Sequence, residues 1–361
     1  MFFIVSVTIA QYCHYLYFIR HMYTATLGEF MDCLSIVLAH SKVLFKCVVF
    51  WINQRKFIEV LTIMREDWSD CANDAISTRE TTSEAKASER ITNLILILHT
   101  ITVSTFGIGV LLADVDVTNT TELPFMTKIE IPFDIDTQRT YKCIVMTEFF
   151  CMFMWAWSSG AMNSLLLILE WDLYFQTFHV AGQINIVRCW LTQLAPSKVD
   201  SKNDTIAIAM AKIIQKHKKI IRLSENIESL FTNIALMLFV SNSIMICLSA
   251  FQVVMAIGSV NATQQIVKSV FFYIITNLEA YIFCYAGEHV KNKSKEISFA
   301  AYDSAWYDMK AENSHVLLFI ILRSQKQLTL TAGKMMELSL KTFTSIMNAS
   351  GSYLSMLLAM Q

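Results

Sequence analysis

The end of the chain combines an apolar stretch with a regular row of small and polar side chains. Residues 331–360 read TAGKMMELSLKTFTSIMNASGSYLSMLLAM, and the second half is long and apolar enough to cross a membrane. It carries small or polar residues at alternating steps of three and four: Ser345, Asn348, Ser352, Ser355 and Ala359. On a helix this spacing gives one continuous row, here called the polar seam. Its hydroxyl and amide groups could contact water on a helix that otherwise suits a membrane.

A second chemical feature is a single acid, Glu279, within the apolar stretch VKSVFFYIITNLEAYIFCYAG. An acidic residue inside a membrane span is costly and therefore suggests a functional role. The alternative is that Glu279 hydrogen-bonds inside a helical bundle or reaches the inner interface. The sequence leaves both interpretations open.

The sequence contains no pattern typical of an enzyme or a metal site. HExxH, GxSxG and the phosphate-binding GxxxxGK are absent, and none of the nine cysteines forms a CxxC pair. We therefore predict no catalytic residue, no metal site and no cofactor.

The composition indicates an all-α polytopic membrane protein. Of the 361 residues, 54% are hydrophobic and only 16% are charged, whereas soluble domains carry about a quarter charged residues. The net charge of −1 gives no basic surface for nucleic acid. Seven stretches approach the length that crosses a bilayer, and we predict spans at 2–19, 28–52, 91–113, 143–169, 230–257, 266–287 and 339–360. Span 28–52 is the weakest because it contains Glu29, Asp32, Lys42 and Lys46.

The distribution of Lys and Arg predicts how the spans are oriented. Twenty-one of these residues lie in segments 53–90, 171–225 and 288–338. Only 4 lie in the alternate set of segments, 20–27, 114–142 and 258–265. Since cytoplasmic loops carry the excess, the N-terminus is expected in the cytoplasm and the C-terminus outside. Two sequons in the predicted outer loops, at Asn119 and Asn261, are candidate glycosylation sites.

The predicted inner segments contain helical patterns of their own. Residues 205–229 form a strong helix with an apolar and a basic side, and we expect this helix to run directly into span 230–257. Such helices could lie on the inner membrane surface or pack together as a cytoplasmic anchor region. The second interpretation is favoured because apolar runs such as VLLFIIL are too short to span and still need burial.

Several motifs resemble those of insect odorant receptors. The stretch TLTAGKMMELSLKTFTSIMNASGSYLSML resembles that family's C-terminal signature, with its Thr-Ala-Gly-Lys opening, Ser-Leu-x-Thr-Phe core and late Ser-Tyr. AAYDSAWYDM, FCYAGEHV and KCVVFWINQRKFIEVLTIMREDW also fit the family. Family members usually have a few dozen residues before the first span, so an N-terminally truncated sequence is expected.

The resemblance implies an odour-tuned subunit of a ligand-gated, non-selective cation channel. Such a subunit forms a heterotetramer with the olfactory co-receptor in the plasma membrane of an olfactory sensory neuron dendrite, in contact with lipid. Each subunit gives its last helix to a central pore. The pore and gate would then involve Ser345, Asn348, Ser352, Met356, Ala359 and Met360.

The resemblance also places the site for a small volatile, apolar ligand in the outer half of the bundle. Residues at matching depth that suit an apolar, aromatic pocket are Ser104, Phe106, Gly107, Leu111, Met146, Phe150, Met154, Phe272, Tyr273 and Thr276. Each of them could instead serve only in packing.

Three other classes of membrane protein fit the sequence less well. A gustatory receptor would share the fold, but the Thr-Ala-Gly-Lys segment and AAYDSAWY favour an odorant receptor. A transporter would show an internal repeat or paired helices broken by Gly or Pro, whereas no span contains a proline and the sequence shows no repeat. A G-protein-coupled receptor has the opposite orientation.

Overall fold

The structure is a computed structural model that describes residues 2–23, 27–72, 74–111, 137–161, 167–194, 203–257 and 262–359. Within these ranges the chain is almost entirely helical. Its helices are α1 Phe2–His21, α2 Leu27–Cys71, α3 Ala75–Leu111, α4 Gln138–Ala161, α5 Leu167–Thr192, α6 Asn203–Ala256, α7 Ala262–Asp303, α8 Ala311–Gln325 and α9 Leu340–Ala359. A short 3-10 helix, Trp306–Asp308, precedes α8, and a hairpin of β1 Thr331–Ala332 and β2 Met336–Glu337 precedes α9.

Four helices are much longer than the roughly 20 residues that cross a bilayer. Helices α2, α3, α6 and α7 contain 45, 37, 54 and 42 residues. Each continues without a break from a predicted span into a predicted inner segment. The prediction that residues 205–229 run directly into span 230–257 is confirmed.

Three of the described helical stretches are long and apolar enough to cross a membrane by length and composition. They are Gly28–Cys71, Ile206–Ala256 and Ile266–Asp303. The first contains span 28–52, the weakest of the seven predicted spans. Of the predicted span 143–169, residues 143–161 belong to α4 and residues 167–169 to α5, and residues 162–166 lie outside the described residues.

The largest hydrophobic cluster lies mostly on the segments between the predicted spans, and it is here called the large core. Helices α2, α5, α6, α7 and α8 contribute to it through residues such as Val60, Ile184, Ile220, Ile297 and Leu317. These helices therefore pack around a shared interior rather than lying singly on a membrane surface. This favours the second of the two interpretations of the inner segments.

The middle of helix α5 is enclosed by the rest of the chain. Every residue from Gln176 to Val187 is buried, including the polar side chains of Gln176, His179 and Gln183. No helix is predicted from the sequence at these positions. Because α5 is surrounded on all sides, its residues do not show the one-sided apolar pattern by which surface helices are recognised.

A buried ionic cluster joins α2, α5 and α6 within this region. The Asp67 carboxylate accepts a hydrogen bond from Lys216 Nζ at 2.8 Å and lies 3.2 Å from His179 Nε2. Burial acts to raise the pKa of Asp67, but the His179 hydrogen bond and the Lys216 charge outweigh it, so the pKa lies well below its ordinary value. Asp67 is therefore a charged group fixed by partners from two other helices.

A pH-dependent stability is expected from His217, which lies in the large core on α6. Burial and the nearby positive charge of Arg323 lower the pKa of His217 to about 4. Protonation therefore favours the unfolded chain, and stability is lost as the pH falls from about 6.5 towards 4. Between pH 7 and pH 5 we expect a loss of about 2 kcal/mol from this residue.

Melting temperatures of the detergent-purified chain at a series of pH values check this expectation. His217→Gln should show a shallower fall of melting temperature with acid than the unmodified chain. His315→Gln, at an exposed position of α8, is the matched control and should leave the pH dependence unchanged. Equal pH dependence in the unmodified chain and His217→Gln would contradict the assignment.

Candidate functional site

Helix α9 has two faces of different character. Ile346 and Ser350 are buried, and Phe343, Met347, Leu354 and Leu357 are half-buried on the same side. All residues of the polar seam are exposed: Ser345, Asn348, Ser352, Ser355 and Ala359. The seam is thus the side of α9 that the rest of this chain does not cover.

The covered face of α9 packs on α6 and α7. The Ser350 hydroxyl donates to the Ser243 carbonyl at 3.2 Å, and Ile346 forms a cluster with Ile246 and Ala280. Nearer the end of α9, Leu354 and Leu357 pack against a cluster that contains Phe251 of α6 and Met31 of α2. These contacts fix which side of α9 faces away from the chain.

The serines of the seam present oxygen lone pairs outwards. The hydroxyls of Ser345, Ser352 and Ser355 each donate to the carbonyl four residues earlier, at 3.1, 3.0 and 3.0 Å. Since the hydroxyl hydrogen is used within the helix, the remaining acceptor capacity faces the exposed side. Acceptor oxygens without fixed charge can contact water or a cation.

The hairpin of β1 and β2 attaches the start of α9 to α6. Gly333 and Lys334 at its tip both have positive φ, of 62° and 59°, and glycine adopts such a conformation without a steric cost. The Gly333 amide donates to the Thr232 carbonyl at 2.8 Å, and the Lys334 amide donates to the Thr232 hydroxyl at 3.1 Å. The Thr-Ala-Gly-Lys motif therefore forms a turn that is hydrogen-bonded to α6.

Helix α7 approaches the segment before α9 very closely at Gly287. A Cβ placed on Gly287 would lie 2.2 Å from the Leu338 carbonyl oxygen and 2.6 Å from the Leu338 Cβ. Only a glycine allows this contact. Together with the hairpin, it sets the position from which α9 begins.

Glu279 on α7 lies in a buried ionic cluster with two lysines of α2. Lys42 Nζ donates to Glu279 Oε2 at 2.6 Å, and Lys46 Nζ donates to Oε1 at 3.1 Å. Lys42 also donates to the Asn242 amide oxygen on α6 at 2.9 Å. We call Lys42, Lys46, Asn242 and Glu279 the lysine–glutamate cluster. It explains why α2 contains lysines within an apolar stretch, and it shows that Glu279 hydrogen-bonds inside the bundle, as one of the two interpretations of this residue proposed.

The predicted ligand-binding residues lie on three helices. On α7, Thr276 is buried and donates to the Phe272 carbonyl at 2.9 Å, and Phe272 and Tyr273 are half-buried. Ser104 on α3 is half-buried, and Met146 on α4 is 58% exposed on the surface of the single chain. The side chains of Phe106, Gly107, Leu111, Phe150 and Met154 lie outside the described residues.

The predicted gate lies at the end of the exposed face. Met356 is 64% exposed beside the polar seam, and Ala359 is also exposed. Met360 lies outside the described residues, as do the candidate glycosylation sites Asn119 and Asn261. Among the residues that the structure describes, no three His, Cys, Asp or Glu side chains form a group that could hold a metal ion.

This fold and its two-faced last helix define a polytopic helical membrane protein. The family model described as 7tm Odorant receptor matches residues 26–351. The chain belongs to this family, whose members are receptors rather than enzymes.

Curated relatives match over part of their length. Odorant receptor 10 of Aedes albopictus is 32% identical over 156 residues, which are 43% of this chain and 40% of that protein. Odorant receptor 22c of Drosophila melanogaster is 28% identical over 159 residues, which are 44% of this chain and 38% of that protein. These matched stretches thus span about two fifths of the relatives' length.

A solved structure matches the whole chain. The olfactory receptor OR5 from Machilis hrabei in complex with eugenol gives a TM-score of 0.79 at 15% identity, covering 100% of this chain and 88% of that one. The same receptor described without eugenol gives 0.77 at 16% identity, with the same coverage. At this identity the likeness establishes the fold.

The contact between Gly287 and Leu338 makes a testable prediction. Gly287→Ala should lower the melting temperature of the purified chain, because the added methyl group forces α7 away from the segment before α9. Overpacking of this kind costs about 1–3 kcal/mol. Gly28→Ala is the matched control, since its Cβ would meet no atom within 4 Å. A melting temperature equal to that of Gly28→Ala would show that the contact is not a constraint.

Proposed function

We propose that the chain is the odour-binding subunit of a heteromeric, ligand-gated cation channel formed with the olfactory co-receptor in the plasma membrane. The observation that carries this proposal is the polar seam of α9, which this chain leaves uncovered within an otherwise apolar helix. A membrane protein exposes polar side chains to a water-filled path or to other protein rather than to lipid. Four such helices around an axis would enclose a path lined by serine and asparagine.

The chemistry of the seam supports a path for cations without strong selectivity. Its serines present acceptor oxygens, and residues 342–359 contain no charged side chain. Met356 and Ala359 near the end of the seam would narrow the path with apolar surface. Apolar constrictions close a channel by excluding water, and this assigns the gate to Met356, Ala359 and the adjoining Met360.

An exposed apolar surface supports assembly with further subunits. The end of α7, the 3-10 helix and the outer side of α8 leave large apolar side chains uncovered: Phe299, Tyr302, Trp306, Tyr307, Leu318, Phe319 and Leu322. Apolar patches of this kind mark surfaces that bind other proteins. They lie on the predicted cytoplasmic segments, where contacts with the co-receptor would form beside the large core.

The ligand is proposed to be a small apolar volatile bound between α3, α4 and α7. Half-buried Phe272 and Tyr273 with buried Thr276 offer aromatic surface and one hydroxyl, a mixture that suits such molecules. Tyr273 also packs against the cluster of Ile246, Ala280 and Ile346, so this region touches the covered face of α9. The matched receptor of Machilis hrabei is described in complex with eugenol, which fits this ligand class.

Co-expression tests the proposed function directly. Cells that contain the chain and the co-receptor should give cation currents when a panel of volatile compounds is applied. The chain alone should give weak currents or none, because the channel is heteromeric. The co-receptor alone is the control for currents that do not depend on this chain. Compound responses that are identical with and without the chain would contradict an odour-binding role.

Cysteine substitution tests the pore assignment. A charged, water-soluble thiol reagent applied from outside should lower the current of Ser352→Cys and Ala359→Cys channels by roughly half or more, because both positions face the water path. Leu354→Cys, on the covered face of α9, is the matched control and should respond like the unmodified chain. If the reagent lowered the current of Leu354→Cys channels and left Ser352→Cys and Ala359→Cys channels unchanged, the covered face of α9 would line the path, which contradicts the pore assignment.

A further inference from the structure

The lysine–glutamate cluster joins three helices in the middle of their predicted spans. The side chains of Lys42 and Lys46 are 9% and 8% exposed, and that of Glu279 is 17% exposed. The hydrogen bonds of the cluster connect residues that are more than 190 positions apart in the sequence. The cluster therefore depends on the relative positions of α2, α6 and α7 and responds to any shift between them.

The cluster lies directly behind the contacts that hold α9. Asn242 precedes Ser243, whose carbonyl accepts the Ser350 hydroxyl of α9. Glu279 precedes Ala280, which packs against Ile346 of α9. Because neighbouring residues on a helix point about 100° apart, one turn of α6 and one turn of α7 each contact α2 on one side and α9 on another.

The two lysines give the Glu279 carboxylate two attachment points on one face of α2. Lys42 and Lys46 are four residues apart, which is about one helical turn. A buried charge cannot leave its partner without a large cost, so intermediate positions are disfavoured.

We propose that the lysine–glutamate cluster couples α2 to the pore helix α9 and stabilises the closed channel. Widening a path between α9 helices requires each α9 to move towards its own α6 and α7. The cluster opposes that movement because it ties both helices to α2. Lys42, Lys46, Asn242 and Glu279 are thus positioning residues for gating, and this inference rests on the proposed channel function.

The test compares currents of the co-expressed channel after correction for surface protein. Glu279→Gln should raise the current without odorant roughly fivefold. It should also lower the odorant concentration that gives half the maximal current, since both changes mean that the channel opens more easily. Both changes are expected together because a weakened closed state shifts one gating equilibrium. Glu288→Gln, nine positions further along α7 and outside the cluster, is the control and should change neither quantity.

Combined variants separate coupling from a general loss of stability. Lys42→Met combined with Glu279→Gln should raise the current without odorant by less than the two single changes together, because both remove the ion pair between Lys42 and Glu279. The exchange Lys42→Glu with Glu279→Lys should restore low activity without odorant. Lys46→Gln keeps the shorter Lys42 contact and gives a milder variant with a smaller change in the same direction.

The possible outcomes are distinct. Normal surface protein with unchanged basal current and unchanged half-maximal concentration in both Glu279→Gln and Lys46→Gln would overturn the coupling role. A changed half-maximal concentration with unchanged basal current would make Glu279 a residue of the ligand site and would also overturn it. Absence of odorant-evoked current in the unmodified co-expressed channel would instead overturn the proposed function, and this inference with it.

Discussion

The structure depends on keeping two lysines of α2 inside an apolar part of the molecule. Glu279 makes this possible, because its carboxylate accepts hydrogen bonds from both Lys42 and Lys46. The Asn242 amide oxygen accepts a further hydrogen bond from Lys42. A buried charge without a partner is far more costly than a surface charge. This requirement fixes α2 against α6 and α7, and the covered face of α9 packs on these two helices.

Long continuous helices connect this membrane part to the large core. Helices α2, α6 and α7 pass through both regions, so a displacement at one end is transmitted along a rigid backbone. The hairpin on Thr232 and the close contact at Gly287 attach the start of α9 to the same helices. Helix α9 is thus anchored where the two regions meet, and its polar seam is left uncovered by the rest of this chain.

Residue patterns predicted the local features, and they could not predict the long-range ones. Alternating steps of three and four define the seam from Ser345 to Ala359, and the structure leaves that whole row exposed. The partners of Glu279 were not predicted, because Lys42 is 237 positions away and no periodicity connects them. Helix α5 was missed since burial on all sides removes the one-sided pattern, and the role of Gly287 depends on a neighbour that only the folded chain brings close.

The central claim is that the uncovered face of α9 lines a water-filled path shared with other subunits. Electron cryomicroscopy of the chain assembled with the co-receptor tests this most directly. We expect a central path with Ser345, Ser352 and Met356 facing the axis and Leu354 and Leu357 facing α6. A structure in which the seam faces lipid, or in which Leu354 and Leu357 face the axis, would contradict it.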